Sequence, residues 1–270
     1  MEFHKYLSFM AIILFLFPNY DRVSSKEMEG KYSYKVGSKY GPDHWGDIHR
    51  DWATCSKGKM QSPIDLNDRR VQHLHYLGDL NRSYRSANAV IKNRGHDIMV
   101  KWEDDAGEIW INGTKFSLLQ VHWHTPSEHT INNHKYAMEL HMVHQRASDN
   151  KFAVVAILYT IGRPDTFLTQ MMKYIKLVSD KREVEVKIGI VDPRNIKRGS
   201  RRYYRYIGSL TTPPCTEGVV WTVIRKVRTV SKEQLKLLKE AVEDGYEKNA
   251  RPSQGIDGRV VQLYQPINRY

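Results

Sequence analysis

Cysteine is nearly absent from this chain: Cys55 and Cys215 are the only two among 270 residues. One cross-link is therefore the most the chain can form within itself. Internal repeats, low-complexity tracts and linkers are missing as well, which removes repeat architectures and gives no sign of a second domain. Negative charge is in deficit, with 30 Asp and Glu against 42 Lys and Arg, for a formal net charge of +12. The excess lies mainly in residues 194–205 and 225–239, a balance that can signal nucleic-acid or membrane-surface binding. No nucleic-acid motif accompanies it, and the basic residues are dispersed among Tyr203, Tyr204 and Tyr206, so no nucleic-acid partner is expected. A membrane-spanning run is also missing. The apolar residues 6–17, which follow His4-Lys5, are too few to cross a bilayer; with the small residues Val23-Ser-Ser25 they predict a secretory signal over residues 1–25, cleaved to leave residues 26–270.

What is present is strand signal. Alternating segments at residues 89–102, 108–111, 116–124, 136–144, 152–161 and 219–227 are separated by Gly, Pro, Asn and Asp clusters, the pattern of a sheet protein. Two stretches break it. Residues 165–178 place Phe167, Leu168, Met171, Met172, Ile175 and Val178 at helical spacing, and Ser231-Lys-Glu-Gln234 reads as a capping box before Leu235, Leu238 and Val242. Their apolar stripes are read as core. The expected fold is mainly β with an α+β character: a single domain, long enough for one large core.

Histidine is plentiful, with 12 residues, and three of them converge. Side chains on a strand alternate faces, so in Leu118-Leu-Gln-Val-His-Trp-His124 the residues Gln120, His122 and His124 share one face. On the segment 136–144, Glu139, His141 and Val143 share another. An isolated His-x-His pair is more often two half-exposed polar residues than a ligand pair. A third imidazole from a neighbouring strand changes that balance: His122, His124 and His141 would leave a fourth tetrahedral position open, as a catalytic zinc ion (Zn2+) requires. His129, His134 and His144 do not fit the same-face geometry and are read as structural or surface residues.

Six segments then carry a resemblance: Tyr40-Gly-Pro-Asp-His-Trp-Gly46, Gln61-Ser-Pro-Ile-Asp65, Asn93-Arg-Gly-His96, Gln120-Val-His-Trp-His-Thr-Pro-Ser-Glu-His-Thr130, Glu139-Leu-His-Met-Val-His144 and Gly208-Ser-Leu-Thr-Thr-Pro-Pro214, with Trp221 beyond. In this order, from about residue 30 to the C-terminus, they resemble the alpha-class carbonic anhydrases of the plant type. The resemblance implies a large, mostly antiparallel, twisted central sheet with short peripheral helices and zinc at the floor of a conical cleft. It implies reversible hydration of carbon dioxide to bicarbonate by attack of zinc-bound hydroxide. By the same resemblance Thr211 would orient that hydroxide by donating to Glu128, and His96 would shuttle the proton to buffer. Thr212 matches a second polar residue near the substrate, while Val143, Val154, Leu210, Val219 and Trp221 match the apolar wall for carbon dioxide. Gln120 and Glu139 lie on the faces needed to hold the ligand histidines. Thr125, Arg94, Met99 and Gln145 depart from the best-known animal pattern, which bears on access and turnover rather than on reaction class. Arg94, beside His96, is expected to depress its pKa.

Passage through the secretory pathway predicts that Cys55 and Cys215 pair, and the resemblance places a disulfide there too. Two sequons, at Asn81 and Asn112, fit the same route. The expected destination is extracellular, the apoplast, where a basic protein can adhere to acidic wall polymers; the plastid stroma, reached through the secretory route, is the alternative. The expected partner is a small molecule, carbon dioxide or bicarbonate, and the chain a monomer or homodimer. Rival readings are a cupin enzyme, on His122-x-His124-x-x-x-Glu128, whose flanking glycines are missing here; a lectin-like module, which has no motif; and a weakly active or non-enzymatic storage relative of the same fold. Against the last, all three histidines, Glu128 and Thr211 are present.

Overall fold

The computed structural model describes residues 32–179 and 181–266. The expected signal segment lies outside them. Ten strands carry the architecture: β1 (Ala87–Asn93), β2 (Ile98–Trp102), β3 (Glu108–Ile111), β4 (Thr114–His124), β5 (Met138–Gln145), β6 (Phe152–Ile161), β7 (Glu185–Val191), β8 (Tyr203–Ser209), β9 (Glu217–Val230) and β10 (Gln262–Tyr264). They form a twelve-stranded sheet with the short strands Gln72–His73 and Asn81–Arg82, in the order β7-β1-β2-β4-β5-β6-β9-β8-β10 and then Gln72–His73, with β3 pairing on the side of β4. Pairing is mostly antiparallel. The exceptions, β6 with β9 and β10 with Gln72–His73, run parallel, so the sheet is mixed.

The strand segments read from alternation are present at or near the expected bounds, with one correction: residues 89–102 are not one strand but the hairpin β1–β2, turning at Arg94 to Asp97 around Gly95. Gly95 has φ +83°, a conformation that costs a residue with a Cβ. Strands β7 and β8 were not foreseen. In β8 both faces are occupied, so Tyr203-Tyr-Arg-Tyr reads as a basic aromatic tract and not as an alternation. Short helical turns at Pro42–His44, Trp45–Ile48, Arg50–Trp52 and Thr54–Lys57 were likewise missed, being too brief for a periodic signal.

Burial divides the sheet into two faces. On one, helix α1 (Thr166–Val178) lays Phe167, Leu168, Met171 and Ile175 on a large core that includes Trp123, Leu140 and Met142. Asp165 caps α1 by accepting from Leu168 N at 2.9 Å, and Ser231 and Gln234 form the expected capping box at the start of α2 (Lys232–Glu240). Gln234 also binds both backbone groups of Asp165, at 2.9 and 2.8 Å, so one side chain caps its own helix and braces the other. The second face holds a smaller core of Val143, Val154, Val219, Trp221 and their neighbours. No helix of the described residues is long and apolar enough to cross a membrane.

A third cluster brings the N-terminal turns against the sheet through Tyr32, Tyr34, Trp45 and Trp52, and it contains a disulfide between Cys55 and Cys215. The bond closes a sequence separation of 160 residues. On the chain-entropy account such a closure is worth at most about 5 kcal/mol. Reduction, or paired Cys55→Ser and Cys215→Ser substitution, should therefore lower the melting temperature in a calorimetric scan. A melt unmoved by reductant, with thiol alkylation proving the bond broken, would show that the cross-link contributes nothing.

Candidate metal centre

Register places the histidines. In the β4·β5 ladder His141 lies directly opposite His122, and Glu139 opposite His124, so the three imidazoles project from two adjacent strands onto one face. Their ring centroids are 5.0 Å (His122 to His124), 5.2 Å (His122 to His141) and 4.6 Å (His124 to His141) apart. One ring nitrogen from each can be chosen so that all three lie within 4.8 Å of one another. His124 and His141 are fully buried, and His122 is 8 % exposed.

The other nitrogen of each ring is already taken. His122 Nδ1 meets Gln120 Oε1 at 2.9 Å, His124 Nδ1 meets the Asn249 carbonyl at 2.7 Å, and His141 Nε2 meets Glu139 Oε1 at 2.7 Å. Each acceptor draws the N–H to its own side and fixes the tautomer, leaving His122 Nε2, His124 Nε2 and His141 Nδ1 as lone-pair donors aimed at a common point. His124 Nε2 is buried with no hydrogen-bond partner. An orphaned buried nitrogen is costly, and a metal ion bound there would relieve the cost. Burial pushes the His122 pKa well below its usual value against the pull of Asp97, and lowers that of His141 against the pull of Glu139. Neutral rings are what metal ligation needs. Three imidazole nitrogens and no carboxylate form a donor set that suits zinc with one position left open.

A second trio, His129, Glu139 and His141, is equally close, but it is a hydrogen-bond cluster. Glu139 Oε1 accepts from His129 Nδ1 and His141 Nε2, both at 2.7 Å, while Oε2 accepts from the backbone N–H groups of Glu128 and His129, both at 2.8 Å. Burial raises the Glu139 pKa, yet the two imidazoles outweigh it and hold the carboxyl well below its usual range. With Nδ1 donating, His129 Nε2 accepts from Tyr206 Oη at 2.7 Å, and Tyr206 in turn accepts from Ser62 Oγ at 2.8 Å. Gly208 makes that approach possible, since a Cβ there would sit 2.1 Å from Ser62 Oγ.

Glu128 is fully buried; Oε1 accepts from Arg251 N at 2.9 Å, and Oε2 lies 3.5 Å from His124 Nε2 with no partner of its own. Thr211 and Thr212 sit in the loop between β8 and β9, tied by Leu210 N to Thr216 O at 2.9 Å and Cys215 N to Thr212 O at 2.9 Å. Thr211 is buried, and no hydrogen bond joins it to Glu128. Val143, Val154, Val219 and Trp221 form one cluster with Leu210 against it, and the Trp221 ring lies 4.9 Å from that of His141. His96 stands in the β1–β2 turn, 6 % exposed, with the rings of Tyr32 and Tyr246 at 5.5 and 6.4 Å. Its pKa falls to about 4, chiefly through burial, with Asp97 opposing and Arg94 adding to the shift. Arg94 is thus a lesser cause than the sequence suggested, because its Nε donates to Asp97 at 2.7 Å. Asn81 and Asn112 are both exposed.

Asn249, Arg251 and Tyr206 are the contributors that sequence reasoning did not single out. Asn249 and Arg251 stand in an irregular stretch with no periodicity, and their partners are more than 120 residues away.

Residues 40–265 match the model of the eukaryotic-type carbonic anhydrases. Alpha carbonic anhydrase 7 of Arabidopsis thaliana is 53 % identical over 241 residues, covering 89 % of this chain and 87 % of that protein. Among solved structures, dioscorin complexed with ascorbate superposes with a TM-score of 0.85 at 43 % identity, covering 88 % of this chain and 99 % of that one. The alpha-carbonic anhydrase from Thermovibrio ammonificans, in complex with the inhibitor sulfanilamide, gives a TM-score of 0.77 at 32 % identity, covering 86 % and 98 %. The chain belongs to the eukaryotic-type carbonic anhydrase family, a family of carbonate dehydratases.

Proposed function

We propose that this chain holds zinc through His122, His124 and His141 and catalyses the reversible hydration of carbon dioxide to bicarbonate. The observation that carries the reading is the ring set itself: three buried imidazoles, each with one nitrogen fixed by an acceptor and the other turned to a shared point, where His124 Nε2 has no partner. Zinc, when bound, lowers the pKa of its water to about 7, the value established for this family, and so supplies a nucleophile at neutral pH.

The chain's own residues aim and feed that nucleophile. Glu128 Oε2, buried and unpartnered, is the acceptor that the Thr211 hydroxyl needs in order to turn its lone pair toward the attacking oxygen. Val143, Val154, Leu210, Val219 and Trp221 offer carbon dioxide an apolar wall beside His141, with Thr212 at its polar edge. His96 relays the proton to solvent. With a pKa near 4 it holds a proton only briefly at neutral pH, so proton export is slow in weak buffer. Export to the apoplast through a signal at residues 1–25 fits the disulfide, with the plastid stroma as the alternative destination. The likeness to dioscorin supports a second reading, a weakly active storage or binding relative.

Zinc stoichiometry of the mature protein, measured with its carbon dioxide hydration rate in the presence and absence of a sulfonamide, separates the two. One zinc per chain and a sulfonamide-sensitive rate are expected, and His141→Ala should lose both metal and rate while keeping a β-rich circular dichroism spectrum. Full activity without metal would end the proposal. Thr211→Ala should keep zinc and lose rate on the order of a hundredfold, as when one preorganised polar contact is removed; an unchanged rate would reduce Thr211 to turn chemistry. His96→Ala should lower the maximal rate in weak buffer, spare the rate at low substrate and recover with added imidazole. Equal loss in both parameters, with no rescue, would make His96 structural.

A further inference from the structure

The sheet face opposite the histidines is not covered evenly. Helix α1 packs on β1 and β7, but toward β8 and β9 the same face opens into a cavity of about 570 Å³. Alternation along β8 sends Tyr204 and Tyr206 to the metal face and Arg205 and Ile207 to this one, where Ile207 pairs with Val220. Phe116, Ile207 and Val220 give the cavity apolar walls, and three guanidinium groups, Arg146, Arg205 and Arg259, also line it. Among the described residues no acidic side chain does.

Two of the three cations are already engaged. Arg146 Nε donates to Asp149 Oδ1 at 2.6 Å, and Arg259 donates to the carbonyls of Ile256, Gly255 and Gln61 at 2.9, 2.6 and 2.8 Å. Arg205 differs. It is 7 % exposed, its Nε donates to Thr222 Oγ1 at 3.0 Å and its guanidinium lies over the Tyr203 ring at 5.0 Å. Among the described residues no carboxylate partners it and its two terminal nitrogens make no hydrogen bond. Burial lowers its pKa, a sign of the cost of a desolvated cation without a counter-ion.

We propose that this cavity is a binding site for a small organic carboxylate, whose anionic end takes the terminal N–H groups of Arg205 and whose apolar body lies against Phe116, Ile207 and Val220. The planar fork of a guanidinium matches a carboxylate with two parallel donors. One open fork beside an apolar wall selects a monoanion with an apolar body; a polyanion would need several open cations. None of the three clustered histidines lines the cavity, although Tyr206, bonded to His129 on their side of the sheet, reaches its edge, and the site does not depend on the reaction proposed above.

Calorimetric titration of the mature protein with benzoate tests it, with benzamide as the neutral control. Benzoate should bind and benzamide should not, and His141→Ala, on the other face, should leave benzoate affinity unchanged. Arg205→Gln should weaken binding at least about tenfold, the worth of a charge-assisted hydrogen bond. Ile207→Glu decides the matter if Arg205→Gln fails to fold. Ile207 is 42 % exposed, and a carboxylate there would neutralise Arg205 from within, abolishing benzoate binding and raising the melting temperature. Absence of benzoate binding, equal affinity for benzamide, loss of binding in His141→Ala, or unchanged affinity in Ile207→Glu would each overturn the proposal.

Discussion

The centre of this protein hangs on one buried carboxylate. Glu139 has no exposed surface and accepts four hydrogen bonds, two from imidazoles and two from backbone amides. Taking an ionised carboxyl out of water costs several kcal/mol unless its lone pairs are filled, and here all are. Filling them has structural consequences in three directions. The His141 bond fixes which nitrogen that ring presents. The amide bonds pin the segment Glu128-His129, which sets the Glu128 carboxyl beside His124. The His129 bond fixes a proton order that runs through Tyr206 to Ser62, joining β5 to β8 and to the chain near residue 60.

Strand β5 can host such a group because it is central and its two faces do different work. Leu140, Met142 and the buried His144 face the large core, where His144 Nε2 meets Tyr84 Oη at 2.7 Å. Glu139, His141 and Val143 face the other side. A strand buried on both faces would ordinarily read as a continuous apolar run. In Met138-Glu-Leu-His-Met-Val-His, Glu139 and His141, two residues apart, mark one buried face as chemical, and the antiparallel register with β4 then sets His141 across from His122.

That is why the three histidines and both helices were legible in the sequence and other parts were not. Periods of two and 3.6 are local, and so is a capping box; a histidine cluster that depends on one strand pair follows from them. Strand order, parallel pairing and irregular tails are not local. Nothing in the composition around Asn249 and Arg251 announces that a backbone carbonyl there orients His124 or that a backbone amide there holds Glu128. The reading of residues 89–102 as a single strand failed for a related reason, since Gly95 turns the chain inside a segment whose alternation continues on both sides. His96 was located by its motif, but its burial under Tyr32 and Tyr246 comes from segments before and after it in the chain.

Arg251 shows how these long-range pieces join. Its guanidinium is fully buried under the Trp45 ring and donates to the carbonyls of Cys55 and Ser62 and to the side chain of Gln61, all at 2.8 or 2.9 Å. Its own amide meanwhile holds Glu128 Oε1. Burial lowers its pKa to about 10, with Glu128 opposing the shift, which still leaves the group charged at neutral pH. A cation in that position ties the disulfide-bearing turn to the carboxylate beside His124, while Cys215 ties the same turn to the Thr211 loop. One route ends at Glu128 and the other at the Thr211 loop. The covalent bond therefore stabilises more than the fold near it: it restrains both the group that would aim the nucleophile and the acceptor that group would need.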